Sequence, residues 1–442
     1  MDDAVLRVRG LRIEILGRPV VNNVEFDLQR ATTTAIVGES GSGKTLSALS
    51  ILGLLPAGAV MTAGEILFRD REYILRLDAL KKTEWRKVRG KKISMIFQEP
   101  AAALNPAFTV GRQTLEVIAA HERLSRNTAQ ERVLELYAEM GLENPRKIFN
   151  SYPHQLSGGQ QQRAMIAMAL ACRPDVLLAD EPTTALDPTI RQKVVGLLEE
   201  LRQKRGLSIV FISHDLTLVK RIAWKVVVLR AGKVVESGWC DDVLHRPRHA
   251  YTRALWACRP RLGYRPHRLP TVDDTDSTSV GGSTPPSVSS SQSPLLEVRG
   301  LKVEYFSEVK FTAVNDVSFN VYKGEILGLA GESGSGKSSL GKALLKLVPA
   351  SGEVFYHDEG APLELLKLDQ RSFRPYRKHL QIIFQDPYGS LNPKMTVRQI
   401  LVEPMRVHRL FDNDRIRTQK AAELLEKVGM SADLLNRLPH AL

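Results

Sequence analysis

Residues Gly38-Glu39-Ser40-Gly41-Ser42-Gly43-Lys44-Thr45 satisfy the pattern Gly-x4-Gly-Lys-Ser/Thr. The glycines let the backbone wrap round a polyphosphate so that several N–H groups converge on its oxygens. The helix expected to start here adds the positive end of its dipole. Lys44 supplies a point charge for the β- and γ-phosphates, and the Thr45 hydroxyl is a ligand for Mg2+. The pattern recurs at Gly331-Glu332-Ser333-Gly334-Ser335-Gly336-Lys337-Ser338, with Ser339 next. Each copy follows an apolar run expected to be a strand and precedes an expected helix, a context that chance does not supply twice.

Asp180 closes the apolar run Val176–Asp180, and Glu181 follows it. A strand-end Asp beside a phosphate loop is placed to hold Mg2+ through water, and the adjacent Glu to polarise an attacking water as general base. His214 follows a second apolar run, Ser208–Ser213, where an imidazole can contact the γ-phosphate and the water. Gln98, in a loop after Ile93–Phe97, is within reach of the same Mg2+ or water. Leu156-Ser157-Gly158-Gly159-Gln160 is a second anion-binding helix start. One nucleotide hardly needs two cradles from one domain, so the second is read as a cap on nucleotide held elsewhere.

These groups need rigid elements to hold them. Ala35–Gly38, Val176–Asp180 and Ser208–Ser213 are short apolar runs without alternation, as expected for strands buried on both faces. Thr45–Leu55, Gln160–Cys172 and Ile190–Lys204 carry apolar residues at helical spacing. Strands alternating with helices imply a parallel α/β core.

The chain has 442 residues, 43% hydrophobic and 25% charged, with a net charge of +13. That composition excludes a chain disordered throughout, a collagen and a coiled-coil rod, and the length calls for two or three domains. Lys and Arg are spread without a run of five, so the basic surplus is read as a surface bias and no nucleic-acid partner is expected. Three cysteines, without a CxxC pair, argue against a disulfide framework and a zinc site and fit a reducing cytosol. The acidic start does not read as a secretory signal, and the apolar stretches fall short of the ~20 residues that span a bilayer.

The sequence repeats itself. LRVRGLRIE at Leu6 returns as LEVRGLKVE 290 positions later, the phosphate loop after 293, and IFQEP around Gln98 after 287 as IFQDP around Gln385. Near-constant offsets mean duplication of a whole domain. Between the copies, 18 of the 25 residues Pro270–Pro294 are Ser, Thr, Pro or Gly, which reads as a flexible tether. Leu438–Leu442 aligns with Tyr152–Leu156, so everything that follows Leu156 in the first copy lacks a counterpart in the second.

Together these residues resemble the ATP-binding-cassette family. In family order the first copy shows Walker A at Gly38–Thr45, the Q-loop at Gln98 and LSGGQ at Leu156–Gln160. Walker B with Glu181, the D-loop Thr184-Ala-Leu-Asp187 and the switch His214 follow. The second copy shows Walker A at Gly331–Ser338 and Gln385. The resemblance implies an α/β P-loop NTPase cassette, duplicated, with a parallel sheet core, an antiparallel β subdomain and a helical subdomain. Residues 1–262 would form the first cassette with its tail, 263–294 the linker, and 295–442 the N-terminal part of a second cassette.

It implies ATP and Mg2+ as ligands. Gly38, Ser40, Gly41, Ser42, Gly43, Lys44 and Thr45 would hold ATP in the first loop. Gly331, Ser333, Gly334, Ser335, Gly336, Lys337, Ser338, Ser339 and Gln385 would do so in the second. Ser157, Gly158, Gly159 and Gln160 would cap nucleotide on an opposing cassette. Mg2+ would sit on Thr45, Gln98 and Asp180, and on Ser338 and Gln385, while Glu181, His214 and Gln98 would serve hydrolysis. Adenine would stack on Tyr305 or Phe306 in the second copy; Ile15 and Leu16 stand there in the first.

QEPAAALNP and QDPYGSLNP, and the tail HRPRHAYTRAL (His245–Leu255), look like the ATPases of dipeptide, oligopeptide and nickel importers. Relatives with an iron–sulfur cluster carry several cysteines in that tail; Cys258 stands nearly alone, so no cluster is expected. The implied function is peptide import at the cytoplasmic face of the inner membrane. Its partners would be integral permease subunits and, indirectly, an extracytoplasmic substrate-binding protein. Nickel or glutathione import, a soluble cassette protein of DNA repair or translation, and an inactive nucleotide-binding fragment are the alternatives. The family's head-to-tail pairing would join the cassettes within the chain or two copies of it. Neither composite site of an intramolecular pair is complete. A truncated form of a longer protein is the simplest expectation, followed by a separate chain that supplies the rest, or pairing of two first cassettes.

Overall fold

In a computed structural model the chain divides into two compact units at residues 284/285. The structure describes residues 4–183, 186, 188–259, 293–306, 310–332, 334–357, 361–384 and 387–441. The expected linker therefore lies largely outside the described residues.

Unit 1 opens with β1 (Ala4–Ile15) and β2 (Arg18–Gln29), followed by β3 (Thr33–Val37) and helix α1 (Lys44–Ile51). Then come β4 (Ala59–Asp70), β5 (Tyr73–Arg76), α2 (Trp85–Val88) and β6 (Ile93–Ile96). A helical segment follows: α3 (Pro100–Ala103), α4 (Val110–His121), α5 (Arg126–Glu139), α6 (Pro145–Asn150) and α7 (Gly158–Leu170). The chain returns through β7 (Val176–Asp180), α8 (Pro188–Arg205), β8 (Ser208–Ile212), α9 (Leu216–Ile222), β9 (Lys225–Arg230) and β10 (Lys233–Trp239). It ends on the tail helices α10 (Cys240–His245) and α11 (Ala250–Ala257).

Two sheets result. One is antiparallel, in the order β2-β1-β4-β5; the other runs β10-β9-β3-β8-β7-β6, and only its β9–β10 pair is antiparallel. Every residue of β3, β7 and β8 is buried, which explains their lack of alternation. Successive residues still serve opposite faces. Ala35, Val37, Leu177 and Phe211 join a core with the helical segment, whereas Ile36, Leu178 and Ile212 join one with the antiparallel sheet and α1. Side-chain caps on Thr109, Ser125, Asn144 and Ser157 start the helices α4 to α7.

Unit 2 contains β11 (Leu296–Phe306), β12 (Lys310–Val321), α12 (Lys337–Leu344), β13 (Ser351–Tyr356) and β14 (Leu363–Glu364). The helices α13 (Gln370–Phe373), α14 (Pro387–Ser390), α15 (Val397–Val407) and α16 (Asp414–Lys427) complete it. Its sheet order, β12-β11-β13-β14, repeats that of the first antiparallel sheet. Register follows: Arg9 faces Glu65 in unit 1, and Arg299 faces Glu353 in unit 2.

One expectation is corrected here. The apolar run before the second phosphate loop, Glu325–Ala330, does not form a strand. In unit 1, β3 is held between β8 and β9, and β7 and β8 stand between β3 and β6. The described residues of unit 2 contain no counterpart of β7, β8 or β9, so the equivalents of β3 and β6 have nothing to pair with. Ile326 is consequently 97% exposed and Ile383 99% exposed.

Candidate functional site

Parallel strands end on the same side of a sheet, and there the loops that follow them meet. β3 leads into the phosphate loop and α1, β7 ends on Asp180 and Glu181, and β8 leads to Ser213 and His214. Backbone bonds lock the three strand ends together: the Glu181 N–H donates to Ile212 O at 3.0 Å, and the Ser213 N–H to Ile36 O at 3.3 Å.

The loop closes on itself round Lys44. Its ammonium donates to the carbonyls of Gly38 at 2.9 Å and Glu39 at 2.7 Å. Burial pushes its pKa down, while the carboxylates of Glu181, Asp180 and Glu39 act in the opposite direction. Gly43 caps α1 at φ 95°, and a Cβ there would stand 2.9 Å from Val21 Cγ2, so a glycine is required on both counts. The Ser42 hydroxyl is buried without a hydrogen-bond partner, whereas Ser40, Gly41 and Thr45 are exposed.

Asp180 is 2% exposed. Burial raises its carboxyl pKa and the charge of Glu181 adds to the rise; a hydrogen bond from the Thr45 side chain and the charge of Lys44 oppose it. Its Oδ1 has no hydrogen-bond partner. A buried carboxylate oxygen left over beside a threonine hydroxyl is the donor set a hard divalent cation takes, so these residues fit Mg2+.

His214 Nδ1 lies 3.1 Å from Oε1 of Glu181, with the imidazole largely exposed and the carboxylate largely covered. Glu181 itself sits at φ 45°, a left-handed conformation uncommon for glutamate and of the kind often found where a side chain is aimed for chemistry. Gln98 is exposed just past β6. The structure brings Lys44, Thr45, Asp180, Glu181 and His214 together, and among the described residues Gln98 makes no hydrogen bond to them.

Ser157 and Gln160 form a reciprocal capping box at the start of α7. The Ser157 hydroxyl accepts from the Gln160 N–H at 3.3 Å, and Gln160 Oε1 accepts from the Ser157 N–H at 3.0 Å. The N–H groups of Gly158 and Gly159 remain among the unpaired donors of that helix start, with Ser157 and Gly158 exposed. No described hydrogen bond joins this cradle to the loop of its own unit.

Unit 2 repeats the loop without its surroundings. Lys337 donates to Gly331 O at 2.7 Å, Glu332 O at 2.6 Å and Ser335 Oγ at 3.3 Å. Gly336 caps α12 at φ 93°, and Gly334 is left-handed like Gly41. A cavity of about 780 Å³ opens beside Lys337 and Ser338 against Ile382–Phe384. The Tyr305 hydroxyl donates to Ser339 Oγ at 3.2 Å, which sets that ring beside the start of α12, while Phe306 is 77% exposed. Ser333, Gln385, Thr184, Ala185 and Asp187 lie outside the described residues.

Two contacts escape a reading of the sequence. Gln162 on α7 is fully buried and donates to Pro182 O at 2.7 Å, tying the helical segment to the residue after Glu181. The Glu39 N–H donates to the Tyr251 hydroxyl, 212 positions away. No local pattern marks either partner.

The profile of the ABC transporter family matches residues 21–184 and 314–441. The chain is 40% identical over 456 residues to "Glutathione import ATP-binding protein GsiA" of Salmonella choleraesuis (strain SC-B67), covering 99% of this chain and 72% of that protein. The protein of the same name from Escherichia coli (strain K12) is 40% identical over 457 residues, with the same coverage. Among solved structures, the dimeric MJ0796, a bacterial ABC transporter cassette, aligns at 29% identity over 53% of this chain and 98% of that one, with a TM-score of 0.48.

Proposed function

The chain belongs to the ABC transporter family, as the ATPase subunit of an importer, and we propose that it drives uptake of a short peptide through a separate membrane permease. Glutathione is the first cargo to test, because relatives 40% identical to the chain are named for its import. The observation that carries the catalytic part is the convergence of Lys44, Asp180, Glu181 and His214 at one end of the parallel sheet.

In this reading the N–H groups of Gly41 to Thr45 and the Lys44 ammonium bind the β- and γ-phosphates of ATP. Lys44 exchanges the Gly38 and Glu39 carbonyls for phosphate oxygens. Thr45 and Asp180 hold Mg2+, which supplies charge neutralisation on the phosphates. Glu181 accepts a proton from the attacking water, and His214 holds that carboxylate in place. In unit 2, Tyr305 or Phe306 receives the adenine and Lys337 the phosphates.

LSGGQ occurs once in this sequence, at Leu156–Gln160. In the family's head-to-tail pairing, nucleotide on the Lys44 loop meets the signature segment of another cassette, and pairing of two unit 1 domains is one arrangement that supplies Ser157–Gln160. No helix among the described residues is long and apolar enough to cross a membrane. Attachment at the cytoplasmic membrane face comes through the permease. Vesicles containing the chain, its permease and the binding protein should accumulate labelled glutathione or dipeptide only with internal MgATP. Accumulation of neither, with ATP turnover intact, would overturn the peptide assignment.

A further inference from the structure

Tyr251 lies in the tail, beyond every motif of the nucleotide site, yet its side chain ends at the phosphate loop. It is 1% exposed. Its hydroxyl accepts the Glu39 N–H at 3.1 Å. The carbonyl of the same residue takes the Lys44 ammonium at 2.7 Å. The main chain at Glu39 is thus gripped at both its N–H and its C=O.

The grip is anchored behind the loop. The Arg230 guanidinium covers the Tyr251 ring at 4.9 Å. The Glu236 carboxylate accepts the N–H groups of Arg248 at 2.8 Å and His249 at 3.1 Å, which fixes the start of α11 to β10. The His249 ring then caps that helix by accepting the Tyr251 N–H at 3.1 Å. Unit 2 shows the loop without this support: Glu332 has no counterpart of α11 among the described residues.

We propose that Tyr251 is a positioning residue for nucleotide binding, through which the tail holds the phosphate loop of unit 1 in its receptive shape. The inference rests on the reading of Gly38–Thr45 as the nucleotide loop. Before phosphate arrives, Lys44 and Tyr251 share the work of holding Glu39. When Lys44 turns to the phosphates its carbonyl contacts are given up, and the Tyr251 hydroxyl is what keeps the entry to the loop from relaxing. A hydroxyl removed here leaves a main-chain N–H without its acceptor, which weakens every loop conformation that depends on that peptide.

Tyr251→Phe keeps the packing and deletes the bond. In the full chain, the KM for ATP should rise about tenfold while kcat stays within about twofold, since Glu181 and His214 are untouched. Amide exchange should quicken in peptides covering 38–45 and not along α11. Glu236→Gln, which loosens the tail from its other end, should raise KM in the same direction by about threefold. The proposal is overturned if KM is unchanged in both variants, or if exchange quickens across α11 and the core while KM holds and kcat falls. Nucleotide affinity unaltered by Lys44→Ala would instead refute the loop assignment, independently of Tyr251.

Discussion

The Nδ1 atom of His214 stands 3.1 Å from Oε1 of Glu181, although the two residues leave different strands, 33 positions apart. β7 and β8 are parallel neighbours, with Asp180 paired to Ile212, so the residues that follow them must emerge side by side. In its proposed role as general base, Glu181 is held with its carboxylate aimed and not completely buried. His214→Ala should therefore reduce kcat about 10- to 100-fold with little change in ATP affinity. Pre-steady-state hydrolysis alongside equilibrium nucleotide binding checks this; a loss confined to affinity would contradict it.

Asp180, the proposed Mg2+ ligand, costs stability through its burial. Its folded pKa lies above the unfolded value because burial disfavours the charge. The folded state then holds its proton to higher pH than the unfolded chain does, so wild-type stability falls as pH rises through that window. Asp180→Asn should unfold at a higher temperature than the wild type at pH 7, by about 2–4 °C for each kcal/mol regained. The gap should close as pH drops below about 4, where the unfolded aspartate also protonates. Melting curves without nucleotide, at a series of pH values, measure it. The same variant should lose Mg2+-dependent turnover.

The buried Gln162–Pro182 bond predicts a second stability effect. Gln162→Leu leaves the Pro182 carbonyl without its donor and should cost about 1–3 kcal/mol of stability. It should also lower kcat, because Pro182 directly follows Glu181. Denaturant titration together with turnover assays tests both; an unchanged midpoint would mean that the carbonyl finds water instead.

Hydrogen exchange separates the two units. Backbone amides of Thr33–Val37 are held in a six-stranded sheet, whereas Glu325–Ala330 form no strand. Exchange over 325–330 should be faster by several orders of magnitude than over 33–37. Equal protection would show that this run is held in a strand in solution and would contradict the account.

Much of unit 1 was legible because its central strands and phosphate loop use residues chosen for local reasons. VLLAD and SIVFI lack alternation because both faces of β7 and β8 are buried. Gly43 is forced by a left-handed backbone pressed against Val21. The boundaries shifted by a few residues; α1, for example, ends at Ile51 rather than Leu55, where the chain turns at Leu52 and Gly53. The second phosphate loop misled for the opposite reason. ILGLA is as strand-like as TTAIV, but a strand needs neighbours, and those are specified elsewhere in sequence. Tyr251 was invisible as well: its role comes from a contact with Glu39 across 212 positions, and a tyrosine in a helix carries no mark of that.

Single-turnover hydrolysis of MgATP by Glu181→Gln, with nucleotide binding measured on the same sample, addresses the site most directly. The arrangement of Lys44, Asp180, Glu181 and His214 predicts ATP bound with near wild-type affinity and hydrolysis slowed by about 10²- to 10⁴-fold. Hydrolysis at the wild-type rate would show that Glu181 is not the base and that ATP is cleaved by other groups.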